Sequence, residues 1–190
     1  MSKVGHSIKH RVKANDVFIT PLELAKKHIE MIDTKEDDLW LDSCKNKGSY
    51  YNQYPTRLKE YCEILEDKDF FEYSGNPDVI CDNPPYSILD KWFKKVIELN
   101  PRVYSCLIGV GNLTARRIEW FEKAGYGIKK LKMLKVFEWY GMSYIVVFEK
   151  GCESIMEIDR KVYRKDEEKE EVKSVEKEKK IKFKVKSSSQ

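Results

Sequence analysis

The stretch Cys81-Asp82-Asn83-Pro84-Pro85-Tyr86-Ser87 (CDNPPYS) decides how the chain is read. It follows the apolar run Val79-Ile80-Cys81 and precedes a segment with helical spacing. Proline has no N–H, and it biases the preceding residue away from helical geometry. The Pro84-Pro85 pair therefore fixes the turn and leaves the Pro84 carbonyl available as an acceptor. The Asn83 side-chain oxygen is a second acceptor beside it. An exocyclic amino group on a nucleobase has two N–H donors that match those two acceptors, and Tyr86 can stack on the base. A rigid strand-to-helix turn does not by itself call for an amide and an aromatic around two prolines. Chance gives such a match in about one chain per hundred of this length, so the motif carries weight.

Working outward, the neighbouring segments alternate between strand and helix. Upstream, Thr20 reads as a helix cap, with Pro21 at the first position and Glu23 completing a capping box. Leu22, Ala25, Ile29 and Ile32 form the buried stripe of that helix. Asp38 to Asp42 is a short strand ending in an acid, followed by the loop SCKNKGSYY. Tyr61-Cys62-Glu63-Ile64 and Asp78 to Cys81 read as two more short strands. Downstream, Ser87 and Asp90 form a second capping box before a helix buried through Ile88, Leu89, Trp92, Phe93, Val96 and Ile97. That helix ends near Asn100-Pro101. Val103 to Val110 is a continuous apolar run, as in a strand covered on both faces. Thr114 to Ala124 is a helix stopped by Gly125. Gly127 to Glu138 and Ser143 to Glu149 pair as a hairpin around Tyr140-Gly141. The expected fold is α/β, an open and mainly parallel sheet with a C-terminal antiparallel hairpin strand.

The chain has 190 residues, enough for one domain and a tail. The domain is expected over residues 17–156. A basic arm precedes it at 1–16, with Lys3, Lys9, Arg11 and Lys13. The Lys/Glu-rich segment 157–190 has too few apolar residues to offset the entropy of ordering and reads as a solvated tail. A charged helix within it, with Lys182, Lys184 and Lys186 on phosphates, is the other reading. A formal net charge of +4 permits an anionic partner without demanding one. Cys44, Cys62, Cys81, Cys106 and Cys152 have no CxxC pair and no zinc-ligand spacing, and there are three histidines. Free thiols and no metal are expected. No signal peptide or membrane span is legible, so a soluble cytoplasmic protein is expected.

In an open parallel sheet, ligands bind beyond the carboxyl ends of the strands. Asp42 ends the first strand, Gly48 lets the backbone approach a ligand, and Asn46 tolerates positive φ. The two oxygens of Glu63 suit two ribose hydroxyls. Asp69 and Phe70 offer an acceptor and an aromatic face suited to adenine. Each signal has an ordinary reading too: such a loop is most often a turn, and Phe70 and Phe71 are more often core.

In this order, the motifs resemble those of S-adenosylmethionine-dependent amino-methyltransferases of nucleic acids. The chain is most similar to the small phage- and virus-type adenine-specific DNA methyltransferases, over about residues 15–150. FITPLELA (Phe18 to Ala25) resembles the motif at the cofactor's methionine end. LDSCKNKGSYY resembles the family's Asp-Pro-x-x-Gly-x-Gly-x-Phe loop, with Ser43 in place of Pro and Asn46 in place of the first Gly. DNPPYS matches the catalytic motif and holds NPPY, whose first residue, Asn83 here, is Asp, Asn or Ser and whose last is aromatic. The resemblance implies a Rossmann-like class I methyltransferase fold and S-adenosyl-L-methionine as cofactor. It implies cofactor contacts from Phe18, Thr20, Asp42, Cys44, Gly48, Glu63, Asp69, Phe70 and Asn83. It implies a catalytic turn of Asn83, Pro84, Pro85 and Tyr86, acting on the N6 amino group of adenine in DNA.

RNA or a protein glutamine is the alternative acceptor, since each presents a comparable amino group. A catalytically weak, nucleic-acid-binding subunit is a further alternative. The core is expected to fill the chain. Reading a duplex would then need a partner subunit, a homodimer or a short or single-stranded target. Lys129, Lys130, Lys132 and Lys135 on the hairpin offer either a nucleic-acid contact or an ordinary solvated face.

Overall fold

The computed structural model describes residues 18–136 and 141–158. The basic arm, Glu138 and Tyr140 of the expected hairpin, and all but the first two residues of the tail lie outside them. Helix α1 (Leu22–Ile29) leads to strands β1 (Trp40–Asp42), β2 (Lys59–Tyr61) and β3 (Val79–Asp82). After the proline turn come α2 (Leu89–Leu99), β4 (Val103–Gly109), α3 (Ala115–Lys123), β5 (Tyr126–Lys135) and β6 (Met142–Lys150). The sheet runs β2-β1-β3-β4-β6-β5. Its first four strands are parallel. Strand β6 lies antiparallel between β4 and β5. This is the mainly parallel α/β sheet with a C-terminal antiparallel hairpin that the residue pattern predicts.

Alternation along the strands splits the core into two layers. Val79, Cys81, Val103 and Val147 pack with Ala25, Ile29, Trp40 and Tyr54 on the α1 face. On the other face Phe121 of α3 stacks on Phe148, with ring centroids 4.1 Å apart, and on Tyr104 at 5.6 Å. Phe93 of α2 meets Phe121 edge-on at 5.3 Å. Such aromatic pairs are worth about 0.5–1.5 kcal/mol each beyond the area they bury. All seven residues of β4 are buried, as a strand covered on both faces requires. The expected stops also hold. Asn100 ends α2 at φ 59°, and Gly125 follows α3 at φ 86°; the start of α3 is capped by Thr114, which accepts from the Arg117 N–H.

Four local expectations are corrected. Thr20 does not cap α1: Pro21 occupies the cap position without a side-chain bond, and the Thr20 hydroxyl is committed elsewhere. Leu22 is 65% exposed, and His28 takes the buried place on that helix because both its ring nitrogens find partners. The second strand is Lys59–Tyr61 rather than Tyr61 to Ile64, because the Glu63 side chain accepts from the Leu65 N–H and starts a 3-10 turn. Ser87 does not cap α2. A 3-10 turn at Tyr86–Ile88 comes first, and Asp90 pairs instead with Arg116 and Arg117 at 2.7 and 2.8 Å.

Candidate active site

Strand β1 neighbours β3 in register Trp40↔Val79 and Leu41↔Ile80, with β2 on its other side. The strand order reverses between β1 and β3, so a ligand crevice is expected beyond their carboxyl ends. That end carries the loop after Asp42 and the turn at Asn83.

The loop is shaped by its own backbone N–H groups. The Asp42 carboxylate accepts from Tyr51 N–H at 3.1 Å and Cys44 N–H at 3.3 Å. Asn46 sits at φ 48°, the positive φ that its residue type tolerates, and Gly48 sits at φ 80°. A Cβ on Gly48 would come within 2.7 Å of the Asn52 amide nitrogen. Glu63 accepts from Asn46 N–H at 2.6 Å and Leu65 N–H at 3.2 Å. Each of its oxygens keeps lone-pair capacity for a further donor.

Two side chains tie this loop to the proline turn. The Ser43 hydroxyl donates to Asp82. The Cys44 thiol donates to the Asn83 carbonyl at 3.2 Å, and burial pushes that thiol up, so it serves as a donor and not as a thiolate. The serine that stands in the proline position of the resembled loop thus has a partner on the adjacent strand. Asp82 also accepts from Trp92 Nε1 at 3.2 Å and from the Tyr104 hydroxyl at 3.3 Å.

At the turn, Asn83 Nδ2 donates to the Thr20 hydroxyl at 3.2 Å. Asn83 Oδ1 is buried and has no hydrogen-bond partner. An orphaned acceptor of this kind costs about 1–3 kcal/mol, which is tolerated where a ligand supplies the donor. Pro84 is buried, and the Tyr86 hydroxyl donates to the Leu107 carbonyl at 3.3 Å, which tethers its ring beside β4. Phe70 is 3% exposed, with its ring 4.4 Å from Trp92, whereas Phe71 beside it is 37% exposed. Phe70 is therefore a wall of this region, and Phe71 has the more accessible ring. Asp69 accepts from the Phe71 N–H at 2.9 Å. It also lines a cleft of about 480 Å³ on the outer edge of β2, with Tyr51, Tyr61 and Tyr73.

Burial pushes both Asp42 and Asp82 up to about 7, and for Asp42 the neighbouring Asp82 charge adds to the effect. Burial holds His28 down at about 3. The sign follows from proton counts. Between about pH 4.5 and 6.5 the folded chain keeps two carboxyl protons that the unfolded chain has released, and lacks one imidazole proton that the unfolded chain holds. The folded state binds the net excess, so stability falls as pH rises toward 7 and levels off above it. The urea midpoint is expected to be higher at about pH 5 than at about pH 8; the reverse order would contradict this assignment.

Sequence reading assigned no site role to Ser43 or Asp82, which join the loop to the turn. Only Asp82 gave a signal, as an acid at the end of an apolar run directly before the motif. Two of the four hairpin lysines are in ion pairs. Lys129 binds Glu149 at 2.6 Å and Asp33 at 2.9 Å, and Lys130 binds Asp33 at 2.8 Å. All five cysteines are free. Among the described residues no cluster of His, Cys, Asp and Glu has metal-site geometry. None of their helices is long and apolar enough to cross a membrane.

No family model matches the sequence. A comparison with characterised proteins found no match. Solved structures are informative. A magnesium protoporphyrin IX methyltransferase from Synechocystis PCC 6803, with bound S-adenosylmethionine, superposes with a TM-score of 0.54 at 11% identity, over 78% of this chain and 92% of that one. A methyltransferase from Pyrococcus furiosus gives 0.53 at 16% identity, over 71% and 85%. The fold is that of Rossmann-like methyltransferases. A modification subunit of a putative type I restriction enzyme from Vibrio vulnificus also matches, with a TM-score of 0.54 at 13% identity. That match covers 80% of this chain and 48% of the Vibrio subunit.

Proposed function

We propose that the chain transfers a methyl group from S-adenosyl-L-methionine to the exocyclic N6 amino group of adenine in DNA. The observation that carries this reading is the buried, unpartnered Asn83 Oδ1 at the carboxyl end of β3. It stands where the sequence pairs an amide with a proline carbonyl. The donor set also suits a cationic cofactor: two buried carboxyls, Asp42 and Asp82, lie at the ends of adjacent strands. A bound cation would offset the cost of ionising them.

When bound, the cofactor supplies an electrophilic methyl carbon on a sulfonium. The chain's own residues do the rest. Asp42 and Glu63 bond the N–H groups of the loop and would hold the cofactor's amino acid and ribose there. Asn83 Oδ1 and the Pro84 carbonyl accept the two N–H bonds of the target amine, which favours a pyramidal nitrogen with a localised lone pair. Tyr86, tethered to Leu107, flanks the base. The base leaves its stack to reach the turn. Most of the rate gain comes from positioning and from acceptors already in place.

An RNA adenine or a protein glutamine carries the same pair of donors, so the acceptor polymer is decided by experiment. Tritiated methyl transfer is expected to DNA, and not to RNA or protein pools. Transfer confined to either of the other pools would reassign the substrate and leave the site chemistry intact. The similarity to a modification subunit supports testing for a partner subunit in target recognition.

A further inference from the structure

Positive charge is balanced at one end of the sheet and in excess at the other. At the amino end, Asp33 binds Lys129 and Lys130 at 2.9 and 2.8 Å, and Glu149 binds Lys129 at 2.6 Å. Glu149 stands opposite Val103, the first residue of β4, so this matched group lies away from the proline turn. At the carboxyl end, α2 follows the proline turn through Tyr86–Ile88, and α3 follows the end of β4. Their first turns therefore sit at the end of the sheet that carries Asn83.

Residues 89–94 and 115–120 hold four cations, Lys91, Lys94, Arg116 and Arg117, against two carboxylates, Asp90 and Glu119. Lys123 already pairs with Glu119 at 3.0 Å. The Arg117 side chain is 16% exposed and belongs to the frame: it takes Asp90 Oδ1 at 2.8 Å and the Asn112 carbonyl at 2.8 Å. Arg116 takes the other Asp90 oxygen at 2.7 Å, and its side chain is 67% exposed. Arg117 thus meets the Asp90 charge from inside, and Arg116, Lys91 and Lys94 are left in excess outside.

Trp120 gathers that excess. Lys94 Nζ lies 5.3 Å from its ring centroid, and Arg116 Cζ lies 5.1 Å from it. Such contacts are worth about 0.5–1 kcal/mol each at exposed positions, which offsets part of the repulsion between the two cations. Lys91 is one turn before Lys94 on the same helix face, and both are exposed. An anion set between Lys94 and Arg116 removes the repulsion that is left. The surface offers charge and not a bare aromatic face, so it fits a phosphate and not a stacked base.

We propose that Lys91, Lys94 and Arg116 hold the sugar-phosphate backbone of the DNA strand beside the methyl acceptor. The proposal rests on the reading of the chain as a DNA methyltransferase. Phosphate contacts position a strand without reading its sequence, and a base that leaves its stack needs its backbone held.

Binding of a short adenine-containing DNA oligonucleotide, followed by fluorescence anisotropy over a series of salt concentrations, tests it. Each phosphate contact contributes about 0.7–0.9 to the slope of log K against log salt. The double variant Lys94→Ala, Arg116→Ala is expected to reduce that slope by roughly 1.5 and to weaken binding roughly tenfold. Its acceptor KM is expected to rise while kcat and the cofactor Kd hold, because the lost contact is equal in the ground and transition states. The double variant Lys129→Ala, Lys130→Ala removes as many charges from the amino end and is expected to leave the slope unchanged. An unchanged slope in the first variant, or an equal fall in the second, would overturn the proposal. So would a wild type that binds no DNA. Loss of binding to polyglutamate and not to DNA in the first variant would assign the surface to an acidic protein instead. A wild type that binds DNA through these residues and transfers no methyl group would count against the proposed function and leave this surface in place.

Discussion

Asn83→Ala is expected to cut methyl transfer by about 10²–10³-fold while leaving the cofactor Kd within about threefold. The size follows from the geometry. In the proposed reaction one of the two acceptors for the target amine is Asn83 Oδ1, which has no competing partner. Its loss removes an interaction that strengthens as the nitrogen becomes more pyramidal, so kcat falls more than binding does. The fold is expected to tolerate the change. Alanine abandons one bond of 3.2 Å to Thr20 and at the same time removes a buried acceptor that has no partner. These contributions oppose one another and leave stability within about 1 kcal/mol. A thermal midpoint close to wild type beside lost transfer separates chemistry from unfolding. Undiminished transfer by the variant would remove Asn83 from the mechanism.

Asp42→Asn is expected to weaken S-adenosylmethionine binding by roughly tenfold, and Asp42→Ala by more. The Tyr51 and Cys44 N–H groups bond different Asp42 oxygens, so asparagine removes the charge and keeps an acceptor for one of them. Alanine also leaves those two donors bare. In the wild type, burial and the Asp82 charge hold the Asp42 carboxyl up at about 7. A cationic ligand favours the ionised form, so binding releases a proton below that value. Affinity should therefore rise with pH up to about 7 and flatten above it, and Asp42→Asn should flatten the dependence. Calorimetry in buffers of different ionisation enthalpy measures the proton release directly. Equal Kd values for wild type and Asp42→Asn would count against this loop as the cofactor site.

Where the physics is local, the sequence was informative. The apolar run of β4, the helix stops at Asn100 and Gly125 and the positive φ of Asn46 all depend on near neighbours. They were legible for that reason. The failures share one cause, which is that a side chain took a distant partner instead of a nearby one. Thr20 looked like a helix cap, but its hydroxyl bonds a residue 63 positions away. Ser43 looked like a departure from a loop motif, but it bonds Asp82, 39 positions on. His28 lies outside the apolar stripe given for its helix, and it is buried because Ser105, 77 positions away, supplies a second partner. No local pattern encodes such pairs. They become visible only when the sheet brings the carboxyl ends of β1 and β3 together, which is also what places the candidate site there.

The account's central claim is that the proline turn presents two fixed oxygens to one amino group of adenine. Mass spectrometry of nucleosides, from DNA incubated with the purified chain and S-adenosylmethionine labelled in its methyl group, tests it most directly. The account predicts labelled N6-methyldeoxyadenosine with wild type and none above background with Asn83→Ala. Labelled 5-methyldeoxycytidine, or no labelled nucleoside from a protein that binds the cofactor, would contradict it.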